Sequence, residues 1–408
     1  MAVSNEVTIQ GAGIVGMALA LSLVKARVRV TLVGDLNPPA QADVRAYAIN
    51  HAGKATLQAV GAWPEDSRVA TPVRQMRVFG DAQGCVQFDA PQGDDLTWIV
   101  DVPAVIQRLQ DAVRAQPKIT LADHAPERKP GSLWVISEGR ATTTRALVGF
   151  SVQSVSYPHH AVATRVRMAQ PHAGTAWQWF DGNRILGLLP MDGPDGRDMA
   201  VVWSQDGAQA QAWRNASPEA LGQAISEASH HVMGQAEVIA PVATWPLVLS
   251  RADRWVAPGV ALIGDTAHTV HPLAGQGLNL GLGDVAELAR VLEQREGWRS
   301  VGDYRLLRRY ERARAVPTLS MQTATDALFL AFASRLPLVG TLRNVGMQWF
   351  DRMGAVKQWT MAQARRAEVR APTAVGSNLA PQARPGRDSA QSKPHHPAEQ
   401  RLGAFVYS

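Results

Sequence analysis

The chain has 408 residues, 46% of them hydrophobic, enough for two or three domains and a large core. Its single cysteine, Cys85, excludes an internal disulfide framework and a cysteine-rich zinc site, and no metal site is expected. A formal charge of +6 and a pI of about 9.7 fit a solvated basic surface or attraction to an anionic membrane face. Nucleic acid is not expected as a partner, because no dense basic run is interleaved with aromatics.

In chain order, Val7-Thr8-Ile9-Gln10 reads as a strand, residues 14–25 as a helix and 28–33 as a second strand, which opens a βαβ unit. Helical patterns follow near 51–60 and 103–115, and Arg145-Ala146-Leu147-Val148-Gly149 reads as a further strand of the same domain. From about 157 the character changes. Ala161–Met168, Gly174–Phe180, Arg184–Leu189 and Met199–Ser204 are strand-like and separated by turn residues, as in an antiparallel sheet. The α/β pattern returns with an apolar strand at 260–263, a Gly-rich turn and an apolar-periodic helix at 278–292. Residues 303–368 read as helical, with a break at Pro337 and Gly340. The segment after 370 is rich in Pro, Ala, Gln, Ser and Gly and reads as a disordered tail.

The expected fold is α/β. A discontinuous Rossmann-like domain (1–156 and 251–300) carries an inserted antiparallel-sheet substrate domain (157–250). A C-terminal helical region (301–369) and the tail (370–408) follow. No run of about 18 apolar residues and no secretory leader pattern is found, so the expectation is a cytoplasmic protein without a spanning helix.

Two motifs carry chemistry. Gly11-Ala12-Gly13-Ile14-Val15-Gly16 lies between a strand and a helix, the context a dinucleotide fingerprint needs. There Gly11 permits the tight turn, Gly13 lets the backbone approach a pyrophosphate, and Gly16 lets helix and strand pack closely. An acid for the ribose is due at the end of the second strand; the strand closes on Gly34, and Asp35, one place later, is either that ligand or an exposed turn residue. Arg45, in Asp43-Val44-Arg45, is read as entering a helix where it can pair with phosphates.

The second motif is Gly264-Asp265-Thr266-Ala267-His268-Thr269-Val270-His271-Pro272-Leu273-Ala274-Gly275-Gln276-Gly277-Leu278-Asn279. It sets an acid at a strand end and opens a helix with glycines, which suits a cofactor bearing hydroxyls and a partly anionic group. Two such sites far apart in one chain point to one long cofactor, FAD.

These residues, together with Trp177-Gln178-Trp179-Phe180, Leu188-Leu189-Pro190-Met191 and Tyr310-Glu311-Arg312-Ala313-Arg314, resemble the class A flavoprotein aromatic hydroxylases, specifically the ubiquinone-biosynthesis type (UbiH/UbiF/VisC). The resemblance runs from about 6 to 366. It implies a monooxygenase in which NAD(P)H reduces FAD, O2 forms a C4a-hydroperoxide, and the distal oxygen hydroxylates the ring of a polyprenyl phenol. It implies that Gly11, Gly13 and Gly16 hold the ADP part, with Asp35 at the ribose. Arg45 would lie near flavin or pyrophosphate, Gly264 and Asp265 at the ribityl chain, and Pro272 against the flavin ring. Gly275, Gln276, Gly277 and Asn279 would form the helix start that favours negative charge on reduced flavin. His271 is read as shaping the turn.

The family also carries a Gly-Ala-Asp-Gly signature, followed by Ser and Arg, after a strand. Placed after 145–149, that signature is missing: the chain reads Val148-Gly149-Phe150, as though a segment near 150–157 were deleted. This reading, with Gly34, supports an alternative: a flavin-weakened, non-catalytic paralogue that partners other ubiquinone-biosynthesis proteins. Two features stay open between two uses. The Trp177/Trp179/Phe180 cluster suits sheet packing or a ring pocket. The basic amphipathic segment 336–366 suits core packing or a peripheral membrane contact, where a polyprenylated substrate would reside.

Overall fold

The computed structural model describes residues 3–318 apart from 27, 38–42, 81–84, 183, 192–193, 270–275 and 317. The expected tail, the segment 336–366, Pro272, Gly275 and His271 lie outside the described residues.

A six-stranded sheet forms the nucleotide-binding half. Its order is Val256–Ala257, Val260–Leu262, Leu133–Ile136, Glu6–Gln10, Arg29–Val33, Ile119–Ala122, and the last five run parallel. The strand Glu6–Gln10 is central, and Val7 and Ile9 are wholly buried. The helix Ile14–Lys25 is apolar nearly all round, so it is buried against the sheet on one side and other helices elsewhere. The helix Val102–Arg114 is amphipathic, with Val102, Val105, Leu109 and Val113 turned to the core at helical spacing. Helical residues 304–316 close this core, where the buried Tyr310 hydroxyl donates to Leu262 O at 3.0 Å.

The second layer is a nine-stranded mixed sheet. The strand Val152–Met168 is its spine, pairing with Asp198–Asp206 along its second half and with Ala243–Ala252 along most of its length. This sheet draws on both expected segments: Gln75–Phe79 adds to Thr175–Asp181 in parallel, and Cys85–Asp89 forms the edge beyond it. The helices Gly207–Asn215 and Pro218–Ala228, absent from the sequence reading, cover one face. Trp177, Trp179 and Phe79 are stacked on that core, with ring centroids 5.6–6.1 Å apart. Trp177 and Trp179 therefore serve sheet packing. A three-stranded antiparallel sheet (Ala46–Ile49, Thr97–Asp101, Ala70–Val73) bridges the two layers.

One expected strand is corrected. Residues 145–149 do not enter a sheet; Thr144–Leu147 is a helical turn and Leu147 is 82% exposed. The sheet position is filled by Leu133–Ile136, parallel to Glu6–Gln10 on one side and Val260–Leu262 on the other. Leu133–Ile136 is apolar throughout with aromatic and β-branched residues, whereas 145–149 has only three apolar residues between Arg145 and Gly149, so strand propensity favours the former.

Candidate active site

The parallel strands end at a cleft of 930 Å³. Ligands bind at this edge of α/β sheets because strand ends and helix starts converge there. Residues 11–15 line one end, and Gly264 and Asp265 the floor. The opposite wall belongs to the second sheet, through Ala243 and Trp245–Val248.

The first turn is built as expected. Gly11 has φ +114° and its N–H donates to Val33 O at 2.9 Å. Gly13 is the N-cap of the helix Ile14–Lys25, no side chain caps that end, and nothing stands within 4 Å of where a Gly13 Cβ would lie. An uncapped helix start open to a cleft is the cradle a pyrophosphate needs. Gly34 also has a physical reason. At φ +140° it passes the nucleotide turn so closely that a Cβ would meet Ala12 at 3.0 Å. The glycine serves the turn, and Asp35 is exposed and lines the cleft.

Arg45 is corrected in its surroundings. It leads into the strand Ala46–Ile49, not into a helix. Asp43 grips its guanidinium by three side-chain bonds, Nε to Oδ1 at 2.8 Å and to Oδ2 at 3.1 Å, and Nη2 to Oδ2 at 2.6 Å. Those bonds raise the Arg45 pKa further, so it is a permanent cation on the cleft wall. For Asp43, burial works to raise the carboxyl but the Arg45 bonds prevail and hold it low. Tyr47, two residues on along the strand, also lines the cleft, and burial pushes its hydroxyl pKa up, so it stays protonated.

The turn Gly264–Thr266 follows the strand Val260–Leu262 directly. Asp265 is exposed to the cleft, and the protein packed about the turn desolvates its carboxyl enough to raise its pKa against the pull of His268, Arg140 and Arg45. The helix Gln276–Glu293 starts alongside: a Cβ on Gly277 would stand 3.8 Å from the Asp265 carboxylate. Asn279, expected at the cofactor, spends its amide elsewhere. Its Oδ1 accepts from Asn50 N at 3.0 Å and its Nδ2 donates to Ala48 O at 2.8 Å, fastening this helix to the three-stranded sheet.

A divergent form of the second signature follows a different strand from the one expected. With Leu133–Ile136 as the strand, the residues after it are Ser137-Glu138-Gly139-Arg140, with Thr142 and Arg145 at the places of the family's Ser and Arg. Against Gly-Ala-Asp-Gly the chain reads Ile136-Ser137-Glu138-Gly139, so the last Gly and the later Arg are kept, Glu stands for Asp and Thr for Ser, and no deletion is needed. Glu138 accepts from Gln10 Nε2 at 3.1 Å and from the Thr142 hydroxyl. The Ser137 hydroxyl donates to Gly11 O at 3.0 Å, so this loop lies directly across the first turn. Thr266 then ties it to the floor: its hydroxyl donates to Gly139 O at 3.0 Å, and its carbonyl accepts from Arg145 Nη1 at 2.7 Å. The three Gly-rich segments form one hydrogen-bonded unit. The sequence signal is the apolar run Leu133–Ile136 closing on Glu138-Gly139, with Thr142 and Arg145 in step. Replacing Glu138 by Ala unpartners Gln10 and Thr142 at the cleft. About tenfold weaker FAD binding is expected, at roughly 1.5 kcal/mol for a charge-assisted pair; a flavin-fluorescence titration measures it.

Comparison with known proteins decides the family. The chain matches the model of the FAD binding domain over residues 110–324, more than half its length. The chain belongs to that family. This flavoprotein is 29% identical to the 3-demethoxyubiquinol 3-hydroxylase of Escherichia coli K12, over 88% of this chain and 98% of that protein. It is 29% identical to a ubiquinone hydroxylase, UbiL, of Rhodospirillum rubrum (88% and 89% covered). It is 25% identical to a mitochondrial ubiquinone biosynthesis monooxygenase of Drosophila melanogaster (88% and 89%). Among solved structures, p-nitrophenol 4-monooxygenase from Pseudomonas putida shares the fold, with TM-score 0.72 at 18% identity over 91% of this chain and all of that one. Klebsiella pneumoniae HpxO complexed with FAD does so too, with TM-score 0.67 at 15% identity over 90% and 99%. FAD is the cofactor of this flavoprotein, and the residues at the cleft fit it: an open helix start, an exposed acid at the second strand end, and an acid on the floor. The reading of a flavin-weakened partner loses both its grounds, because Gly34 belongs to the turn and an acid, Glu138, with Gly139, Thr142 and Arg145 takes the place of the second signature without a deletion.

Proposed function

We propose that this flavoprotein is an FAD-dependent monooxygenase that hydroxylates the aromatic ring of a polyprenyl phenol in ubiquinone biosynthesis, with NAD(P)H as reductant and O2 as co-substrate. The observation that carries the reading is the hydrogen-bonded unit of residues 11–16, 137–145 and 264–266 at the end of the cleft, whose far wall is largely apolar. The relatives named above act on ubiquinone precursors or in ubiquinone biosynthesis by their names, and the resemblance extends over 88% of the chain. When bound, FAD supplies the oxygen-activating chemistry.

The protein's own residues bind and orient. Gly11, Gly13 and Gly16 shape the ADP end, Asp35 accepts from the ribose, and Asp265 accepts from the ribityl hydroxyls. Arg45 presents a fixed cation, and the residue 276–279 helix start favours negative charge beside the ring. Trp245, Pro246 and Leu247 form an apolar wall where an aromatic substrate would stack, and Arg140 Nη1 reaches Pro246 O at 3.3 Å, bracing that wall against the cofactor loop. Among the described residues no helix is long and apolar enough to cross a membrane. A cytoplasmic enzyme meeting the membrane surface peripherally, in contact with other ubiquinone-biosynthesis proteins, follows from the substrate's chemistry as part of this proposal.

The test is direct. Purified protein mixed with FAD and desalted should keep a flavin absorption spectrum, and should consume NAD(P)H and O2 while adding one oxygen to a polyprenyl phenol, followed by mass spectrometry. A colourless protein that ignores FAD, or a holoprotein that never oxygenates such phenols, ends the corresponding half of the proposal.

A further inference from the structure

Beneath the Asp265 turn lies a buried ionic cluster to which the binding roles above assign nothing. Asp284, on the helix Gln276–Glu293, is fully buried. Its Oδ2 accepts from Gly264 N at 2.9 Å and bonds His268 Nε2 at 2.7 Å, while its Oδ1 accepts from Arg314 Nε at 2.8 Å. Arg314 also donates to Leu280 O at 3.0 Å. The four groups therefore come from the cofactor helix, the Asp265 turn, the strand His268–Thr269 and helical residues 304–316.

The position is chosen by close packing. Gly281, one turn before Asp284, faces Gly264: a Cβ on Gly281 would stand 3.5 Å from Gly264 Cα and 2.7 Å from Val15. The start of the nucleotide helix, the Asp265 turn and the cofactor helix meet at this point, and Asp284 fastens it. His268 carries the connection onward. Its strand pairs with Ala243–Ala252, with Arg251 opposite His268 and Ser250 opposite Thr269, and that strand forms the far wall of the cleft.

A stabilising role alone does not account for a carboxylate here. Buried ion pairs return little net stability over well-packed apolar residues of the same shape, and in some proteins they fix an arrangement instead. A single carboxylate accepting from three elements does that, and an apolar residue cannot. Burial works to raise the Asp284 carboxyl, but His268 and Arg314 prevail and keep it ionised.

The geometry points to Asp284 as a positioning residue for the cofactor site, holding Gly264, and through it the Asp265 carboxylate, in register with the helix start at Gly277 and, by way of His268, with the substrate wall. The inference rests on the FAD reading proposed above. Asp284 touches no cofactor atom itself; its effect is transmitted through the Gly264 N–H.

A double-mutant cycle in FAD affinity tests this. Asp284→Asn keeps the shape but turns a donor toward Arg314 or His268. It should weaken FAD binding to the apoprotein about tenfold, the equivalent of about 1.4 kcal/mol. Asp265→Asn alone should weaken it at least as much. If Asp284 acts by aiming Asp265, the double variant binds FAD within about threefold of Asp265→Asn alone, because the aimed group is already gone. Multiplicative losses would overturn the inference and leave Asp284 a general stabiliser. The flavin midpoint potential of the Asp284→Asn holoprotein supplies an independent readout: a shift is expected as the helix start moves relative to the ring, and an unshifted potential with unchanged affinity also overturns it. Should Asp284→Asn not fold, His268→Gln keeps the carboxylate and retains a donor to it. It should show the same non-additivity with Asp265→Asn at about threefold, and additivity there again refutes the inference. Failure of the unsubstituted protein to bind FAD is a different result and strikes the functional reading instead.

Discussion

Replacing Asp265 by Ala should raise the FAD dissociation constant roughly 10- to 100-fold, the equivalent of about 1.5–3 kcal/mol for charge-assisted hydrogen bonds to ribityl hydroxyls. The carboxylate is the acceptor on the cleft floor, and its ionised form makes the stronger, charge-assisted bonds, with both oxygens free to accept. Because burial raises its pKa in the apoprotein, the ionised form is disfavoured there relative to the unfolded chain. That preference for the proton stabilises the fold at acid pH, below the unfolded-state value, and is lost as pH rises through the raised folded value; at neutral pH Asp265 is a net burden on the apoprotein. Two outcomes follow with opposite signs. FAD affinity of the parent should fall as pH drops through the raised Asp265 pKa, and Asp265→Asn should flatten that dependence. The same variant, although poor at binding FAD, should melt at a higher temperature than parent apoprotein at pH 7. Unchanged flavin content in Asp265→Ala would remove the role assigned to this residue, and an Asp265→Asn apoprotein that melts lower would show that the carboxylate serves the fold.

The two inner glycines of the first turn should separate folding from binding. A Cβ on Gly16 would lie 1.9 Å from Gly11 O and 2.6 Å from the Ser137 hydroxyl. Both obstacles are fixed, one as backbone and one as a bonded hydroxyl, so Gly16→Ala must push helix, turn and signature loop apart. A loss of about 3 kcal/mol or more is expected, lowering the apoprotein melting temperature on the order of 5–10 °C. Gly13→Ala meets nothing, and the Gly13 backbone is extended with φ −78°, open to any residue. Its apoprotein should melt within about 0.5 kcal/mol of the parent, while its methyl fills the approach of the pyrophosphate. About 100-fold weaker FAD binding is expected, since close backbone approach is what that position supplies. Thermal melts and FAD titrations of both variants check the contrast. A Gly13→Ala protein that binds FAD as the parent does would place the pyrophosphate elsewhere.

Much of this molecule is determined by sequence alone, and the parts so determined share a property: they are local. The turn of residues 11–16 needs only its own glycines between a strand and a helix, and the turn of residues 264–266 needs only the apolar strand before it and the periodic helix after it. Tertiary structure decided what depends on which short segment wins a place in the sheet. Leu133–Ile136 is apolar throughout and rich in strand formers, whereas 145–149 opens on Arg145 and closes on Gly149; the former lies parallel to Glu6–Gln10 while its following residues, Ser137-Glu138-Gly139, cross the first turn. Placing a strand at 145–149 hides the second signature, while Gly34 is accounted for separately by its close pass over Ala12. Asn279 and Asp284 show the same limit from within one helix. Both follow a Gly-rich turn, yet one fastens the helix to the three-stranded sheet and the other to the Asp265 turn. An acid on an apolar helix face was the available sign of Asp284, but its three donors come from residues 264, 268 and 314, and only the folded chain brings them to one carboxylate.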